Sequence, residues 1–216
     1  MSYYYPIYLD IEKRKCIVVG GGEVAERKVN LLLKKGANIT IISPDLTDNL
    51  HSLAEEHKIT HIKDKFHERY LEKAQLIIGA TNDNRVNKEV YNAAKKRNIL
   101  VNIVDSPKYC NFIVPSVVER GDLIISISTS GRSPALSKKI RKELEQKYGE
   151  EYSQFLSIMG RIREELLLKV KDQKKREKIF DSLVNSDIID LIKQGKEEKI
   201  NSLIDNLIEK INHQKE

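Results

Sequence analysis

Gly20, Gly22 and Ala25 stand in the order G-x-G-x-x-A, a spacing with a specific use between a strand and a helix. The first glycine permits a tight turn, the second lets backbone approach a pyrophosphate, and the small alanine lets helix and strand pack closely. The helix beginning near Glu23 would turn free N–H groups and the positive end of its dipole toward that phosphate. The end of the second strand usually supplies an Asp or Glu for the ribose, but this sequence has Ser43, with Pro44 and Asp45 after it. Ser43 keeps a hydroxyl for the ribose and no arginine stands beside it to accept a 2′-phosphate, so NAD is favoured over NADP. Ala80, Thr81, Asn82 and Asp83 end a later strand at the same carboxyl edge, where open α/β sheets bind ligands, and are candidate cofactor contacts.

One acid has a claim to chemistry. Asp105 closes the run ILVNIVD and should emerge at that edge, where a carboxylate accepts or relays a proton beside a hydride transfer. The other reading is a loop aspartate capping the Ser106-Pro107 turn, and spacing does not separate the two. His57 and His61 lie four apart without a neighbouring ligand cluster, and the second falls in a strand pattern, so no metal site is expected. Cys16, in an apolar strand, and Cys110, in a turn-like segment, read as two unpaired thiols.

The elements that must position these groups follow from periodicity. KCIVVG from Lys15 is a buried strand; Val24, Lys28, Leu31 and Leu32 have helical spacing, and Gly36 ends that helix. NITIIS (38–43) is a strand broken by Pro44, followed by a helix over 46–57 and a weak strand at 59–62. QLIIGAT (75–81), NRVNKEVYNAAKKRN and ILVNIVD (99–105) read as strand, helix and strand. Strands alternating with helices imply right-handed crossovers and a parallel sheet covered on both faces, a doubly wound, Rossmann-like α/β domain. The pattern then changes: 112–118 and 123–129 are β-rich runs joined by Glu119-Arg120-Gly121-Asp122, with no room for a helix between them, and read as a hairpin. Ser133 can cap a following helix with Pro134 in its first turn. Beyond Ala135 only helix is expected, its apolar stripe running through Phe155, Ile158, Met159, Ile162, Leu166 and Val170 and resuming from Ile188 to Ile211. The division expected is 1–112 for the nucleotide domain, 113–148 for a small β-rich segment with a helix, and 149–216 for a helical domain.

Composition bounds the alternatives. With 216 residues, 40% hydrophobic and 32% charged, a packed core is available and wholesale disorder is excluded. No apolar run approaches the roughly 20 residues needed to cross a bilayer, and MSYYYPIYLD lacks the form of a signal peptide. A soluble, cytoplasmic protein is expected. Thirty-eight Lys and Arg against 32 Asp and Glu give +6, which suits an anionic ligand but is too mild to demand nucleic acid. The Lys/Glu-rich C-terminal third is most simply a solvated helical face.

GGGEVAERK (20–28), Thr81-Asn82-Asp83, VNIVDSPKYCNFIVPS (101–116) and ISTSGRSPALSKKIR (127–141) together resemble precorrin-2 dehydrogenase, the family that includes the N-terminal module of sirohaem synthase. The resemblance runs over essentially the whole chain. It implies NAD-dependent oxidation of precorrin-2 to sirohydrochlorin, with Asp105 matching an essential aspartate and Glu23, Val24, Ser43 and Pro44 matching NAD-contacting positions. Ser128 matches a serine near the tetrapyrrole site that is phosphorylated in some members. The resemblance further implies a homodimer paired through the segment after the nucleotide domain, and in some members insertion of ferrous iron by the same aspartate. Precorrin-2 carries eight carboxylates, so Arg120, Arg132, Lys138, Lys139 and Arg141 are candidate substrate contacts, each also readable as ordinary surface charge. The alternatives are a bifunctional dehydrogenase and ferrochelatase, an NAD-sensing regulatory module with a basic helical tail, and a structural dimer whose nucleotide site is empty.

Overall fold

The computed structural model describes residues 4–212, which separate into two compact units, one ending at Val114 and the other starting at Pro115. The sequence division placed its first boundary two residues earlier and drew a second at 148/149, which falls inside a single unit here.

The first unit alternates strand and helix: β1 (Lys15–Val19), α1 (Glu23–Leu33), β2 (Asn38–Ile42), α2 (Asp48–Glu55), β3 (Thr60–Ile62), β4 (Leu76–Gly79), α3 (Asn84–Lys96) and β5 (Leu100–Ile103). The five strands are parallel in the order β3-β2-β1-β4-β5, so the chain reverses direction across the sheet between β1 and β4. Because successive strand residues face opposite sides, β1 feeds two cores at once. Cys16 and Val18 join Ala25, Val29 and Leu32 of α1 and Leu50 of α2 on one face. Ile17 and Val19 join Val90, Ala93 and Ala94 of α3 on the other. This is the doubly wound sheet expected. The strands are shorter than the apolar runs: β5 ends at Ile103, two residues before Asp105. Its outer edge is covered by the chain that follows it. Asn111 donates its backbone N–H to Val101 O, accepts from Val101 N (2.7 Å) through Oδ1 and donates to Ile99 O (2.9 Å) through Nδ2. Asn102 Nδ2 donates to Phe112 O at 3.0 Å. An edge strand so strapped has no free ladder for a stray chain to join.

The second unit opens with an antiparallel pair, β6 (Ser116–Arg120) and β7 (Leu123–Ile127). The hairpin is real but offset from its sequence reading. Pro115 cannot donate to a ladder and delays β6, while Glu119 and Arg120, assigned above to the connection, pair with Ile124 and Leu123. The turn is therefore only Gly121-Asp122, with Gly121 at φ +56. α4 (Pro134–Lys147) begins as expected, with Ser133 Oγ accepting from Leu136 N. Then α5 (Glu151–Lys169), α6 (Gln173–Val184), α7 (Ile188–Lys193) and α8 (Glu197–Asn212) build a core from Phe155, Ile162, Leu166, Ile179, Leu183, Ile188 and Ile200. Val170 joins that core just past the end of α5, and the side chain of Ile211 lies outside the described residues. The charged run KVKDQKKREK is not a linker: Asp172 accepts from the N–H groups of Lys174 and Lys175 and caps α6, which buries Ile179 and Leu183 fully. No helix among the described residues is long and apolar enough to cross a membrane.

Candidate functional site

The glycine turn after β1 is shaped by close backbone approaches. Gly20 has φ +116, and a Cβ there would lie 2.4 Å from Ala80 O. Gly21, which the fingerprint leaves unspecified, is equally constrained: its Cβ would come within 1.8 Å of Asp45 O and 2.7 Å of Ser43 Oγ. A run of three glycines was the available signal for it. Gly22, by contrast, has open space where a Cβ would be and is the N-cap of α1, with no side chain capping the helix. A pyrophosphate fits this cradle: the backbone of Gly22 is approachable and the first-turn N–H groups, from Glu23 through Ala25, have no side-chain cap competing for them. Glu23 is exposed, Val24 half-buried, and Ala25 wholly buried against the sheet.

The loop after β2 lies against this turn. Ser43 is buried, Pro44 exposed, and Thr47 N donates to Gly21 O at 2.9 Å. His61 Nε2 lies 2.9 Å from Ser43 O, tying the ends of β2 and β3, which gives that histidine a structural role. Glu26 of α1 accepts from Thr47 Oγ1 and from Asn49 Nδ2 (3.0 Å), and these bonds hold its carboxyl below the usual glutamate range. Sequence reasoning missed Glu26, since nothing local marks a residue whose partners lie more than 20 positions away.

At the end of β4, Ala80 and Thr81 are half-buried and Asn82 exposed. Thr81 Oγ1 donates to Asn87 Oδ1 (2.9 Å) and Asn87 Nδ2 to Thr81 O (2.9 Å), so the threonine side chain serves the turn. Asp83 caps α3 through Arg85 N at 2.8 Å, which holds its carboxyl low. Ala80, Thr81 and Asn82 thus stand at the carboxyl edge beside the glycine turn, with Thr81 and Asp83 engaged locally.

Asp105 lies at the same edge, but in a turn rather than a strand. Its φ is +58, the left-handed region that costs a non-glycine residue roughly 1–2 kcal/mol. Ser106 N donates to Ile103 O (3.2 Å) across the turn, and Cys110 Sγ packs beneath it. The carboxylate is exposed, and among the described residues no hydrogen bond or ion pair engages it. Nor does it cap the short helical turn Pro107–Tyr109, whose N-cap, Ser106, makes no side-chain cap bond. The capping alternative has no support in the geometry.

In the second unit, Ser128 is exposed and its Oγ accepts from Ser130 N at 3.0 Å. Arg132 and Lys138 are exposed, with no ion pair among the described residues. Lys139 and Arg141 instead pair with Glu143 and Glu145 on their own helix. Arg120 is folded inward, 20% exposed: its guanidinium donates to Glu119 O (2.8 Å) and Glu145 O (3.4 Å). Its Nε lies 3.4 Å from Glu150 Oε1 without hydrogen-bond geometry. The candidate residues therefore fall into two groups, one in each unit. Both cysteines are unpaired, and burial pushes the Cys16 thiol up to about 11. Among the described residues no group of three or more His, Cys, Asp or Glu side chains is gathered to hold a metal ion.

Comparison with known proteins agrees with this geometry. Residues 7–116 match a family model described as "Putative NAD(P)-binding", and residues 120–147 match one described as "Sirohaem biosynthesis protein central". The chain is 35% identical over 204 residues to a sirohaem synthase of Photobacterium profundum and 34% identical over 206 residues to one of Nitrosococcus oceani. These alignments cover 94% and 95% of this chain but 44% of each relative, so the chain spans less than half the length of the curated relatives it matches. A solved structure titled "SirC, precorrin-2 dehydrogenase" superimposes with a TM-score of 0.78 at 27% identity, covering 94% of this chain and all of that one. With the first model spanning just over half of its residues, the chain belongs to the putative NAD(P)-binding family, and the segment that follows is similar to the central part of sirohaem biosynthesis proteins.

Proposed function

We propose that this chain oxidises precorrin-2 to sirohydrochlorin, with NAD as the oxidant and Asp105 as the group that handles the proton. The observation that carries the reading is the Asp105 carboxylate: exposed, without a partner among the described residues, and held in a left-handed turn at the sheet edge that also bears the glycine cradle. An acid set in a left-handed turn at the ligand edge of a parallel sheet, exposed and with no partner among the described residues, is better explained by chemistry than by folding. When bound, the nicotinamide ring supplies a two-electron acceptor for hydride. The backbone of Gly22 and the first turn of α1, including Glu23 and Val24, would hold the pyrophosphate, and Ser43 and Pro44 would flank the ribose. Loss of one C–H as hydride leaves one proton to be released as conjugation extends, and a carboxylate Oδ of Asp105 receives it directly or through water. The carboxylates of precorrin-2 would be met by Arg132 and Lys138. Arg120, committed to Glu145 and Glu150, would support that surface instead, and Ser128 lies nearby in sequence on the same exposed run.

The working form we propose is a cytoplasmic homodimer. The two-stranded hairpin packs one face, with Val118 buried, against α4 and α5, and presents Val117 and Ile124 on its other face at 37% and 36% exposure, an apolar surface that a second copy would cover. Sedimentation of the wild type and of Val117→Lys tests this; a dimer that survives the lysine would place the interface elsewhere.

The activity is tested by mixing the protein with precorrin-2 and either NAD or NADP and following reduced-cofactor absorbance. The reading requires NADH to form at the faster rate. No reduction with competent substrate removes the dehydrogenase, and a clear preference for NADP removes the assignment of the ribose contact to Ser43.

A further inference from the structure

The strap along β5 ends in a contact that its other rungs do not require. Asn111 and Asn102 secure the strand as far as Asn102 with amide groups. At the last rung the partner is a thiol: Cys110 Sγ lies 3.3 Å from Ile103 N, 3.4 Å from Ile103 O and 3.4 Å from Ser106 O. Those three groups stand at the two ends of the 103–106 turn, and Asp105 lies between them.

We propose that Cys110 is a positioning residue, whose thiol ties both ends of this turn and so holds Asp105 in the left-handed conformation that directs its carboxylate. The inference rests on the role given to Asp105 above. A thiol suits the position because one atom both accepts from an N–H and donates to a carbonyl, while its larger radius fills a half-buried space. Burial pushes the Cys110 thiol up, so it stays protonated at neutral pH and acts as a donor, not as a nucleophile. Apart from the thiol, Ser106 N to Ile103 O is the one bond across the turn among the described residues, while Val104 N to Gly79 O and Tyr109 N to Ser106 O tie its flanks outward. Without the sulfur, Asp105 would relax toward more populated backbone conformations and its carboxylate would spread over several directions.

The test uses the full chain with Cys110→Ala and Cys110→Ser, each alone and combined with Asp105→Asn, and two readouts. Amide hydrogen exchange at Ile103 and Ser106 should quicken about tenfold in the alanine variant and return near wild type in the serine variant. With precorrin-2 and NAD, Cys110→Ala should lower kcat about tenfold and leave KM for NAD within about twofold, with serine restoring most of the loss. In the Asp105→Asn background it should cost nothing further, since a residue acting through Asp105 has nothing left to position. Unchanged exchange at the two amides, or an equal loss of kcat in both backgrounds, overturns the proposal. Cys110→Val, similar in volume and without hydrogen-bonding capacity, replaces the alanine variant if that one does not fold. A wild-type chain inert toward precorrin-2 overturns the dehydrogenase reading and the positioning role with it. An active wild type that is indifferent to Cys110→Ala overturns this inference alone.

Discussion

In the N-terminal unit the candidate residues are placed by backbone. Gly20 is where it is because β1 ends beside β4, Ser43 because β2 ends beside β1, and Asp105 because a strapped edge strand stops at Ile103. In the C-terminal unit they are the ends of long side chains: Arg132, just before α4, and Lys138, in its first turns, are exposed, while Arg120, Lys139 and Arg141 are already engaged with nearby carboxylates or carbonyls. On the proposed function, the difference reflects what each unit would bind. A pyrophosphate is recognised by N–H groups and a helix end, which a fold delivers rigidly, whereas a many-carboxylate macrocycle is recognised by cations whose rotamers settle only when an anion arrives. Activity should therefore be brittle to change in the first unit and graded in the second.

The largest effect that would break this contrast is at Asp105. Asp105→Asn should lower kcat about 10²- to 10⁴-fold while NAD affinity stays within about twofold, read from steady-state kinetics beside a binding titration. Parallel loss of both would mean the turn supports the cofactor rather than the chemistry. Next come the three glycines, which separate folding from binding. Gly20→Ala and Gly21→Ala should each destabilise the chain by about 1–3 kcal/mol in urea melts, because a methyl group must displace the backbone of Ala80 or Asp45. Gly22→Ala should cost the melt less, about 1 kcal/mol at most for alanine at an N-cap, and weaken NAD about tenfold, because its methyl enters open space that the phosphate needs.

A smaller effect is expected in the second unit. Arg132→Gln combined with Lys138→Gln should raise KM for precorrin-2 by about threefold to tenfold, with kcat and NAD affinity unchanged and the difference shrinking as salt is added. Abolished turnover would show that these cations act as rigidly as the glycines do. The smallest concerns Glu26. Its carboxyl is held low in the folded chain by Thr47 and Asn49, so its contribution is present above the unfolded value near pH ~4.3 and is lost as pH falls through the lower folded value. Glu26→Gln should therefore lower the melting temperature slightly at neutral pH, and the gap to wild type should close below about pH 4.

Much of the first unit was legible in its amino acids. Alternating apolar runs and helical spacing define the doubly wound sheet, and the glycine spacing locates the strand-to-helix turn after β1, because both are local patterns with a single stable packing solution. The hairpin was legible in kind and misplaced in register, since Pro115 and the two-residue turn at Gly121 decide pairing more sharply than apolar content does. What remained hidden were contacts between residues far apart in the chain or outside regular periodicity. Gly21 is needed because Asp45 passes over it, Glu26 because Thr47 and Asn49 come to it, and Cys110 because a turn closes over its sulfur.

The order of residues was enough to determine which elements form, which faces they bury, and that a glycine turn opens the first helix after the first strand, because these depend on side-chain period and on glycine's freedom at fixed spacing. Only the tertiary structure decided that Asp105 leaves the strand and turns left-handed with its carboxylate exposed, and that Arg120 is held by Glu145 and Glu150 while Arg132 is exposed without an ion pair among the described residues. Those outcomes depend on which distant groups reach a residue first, and distance in space is the quantity that a linear pattern does not carry.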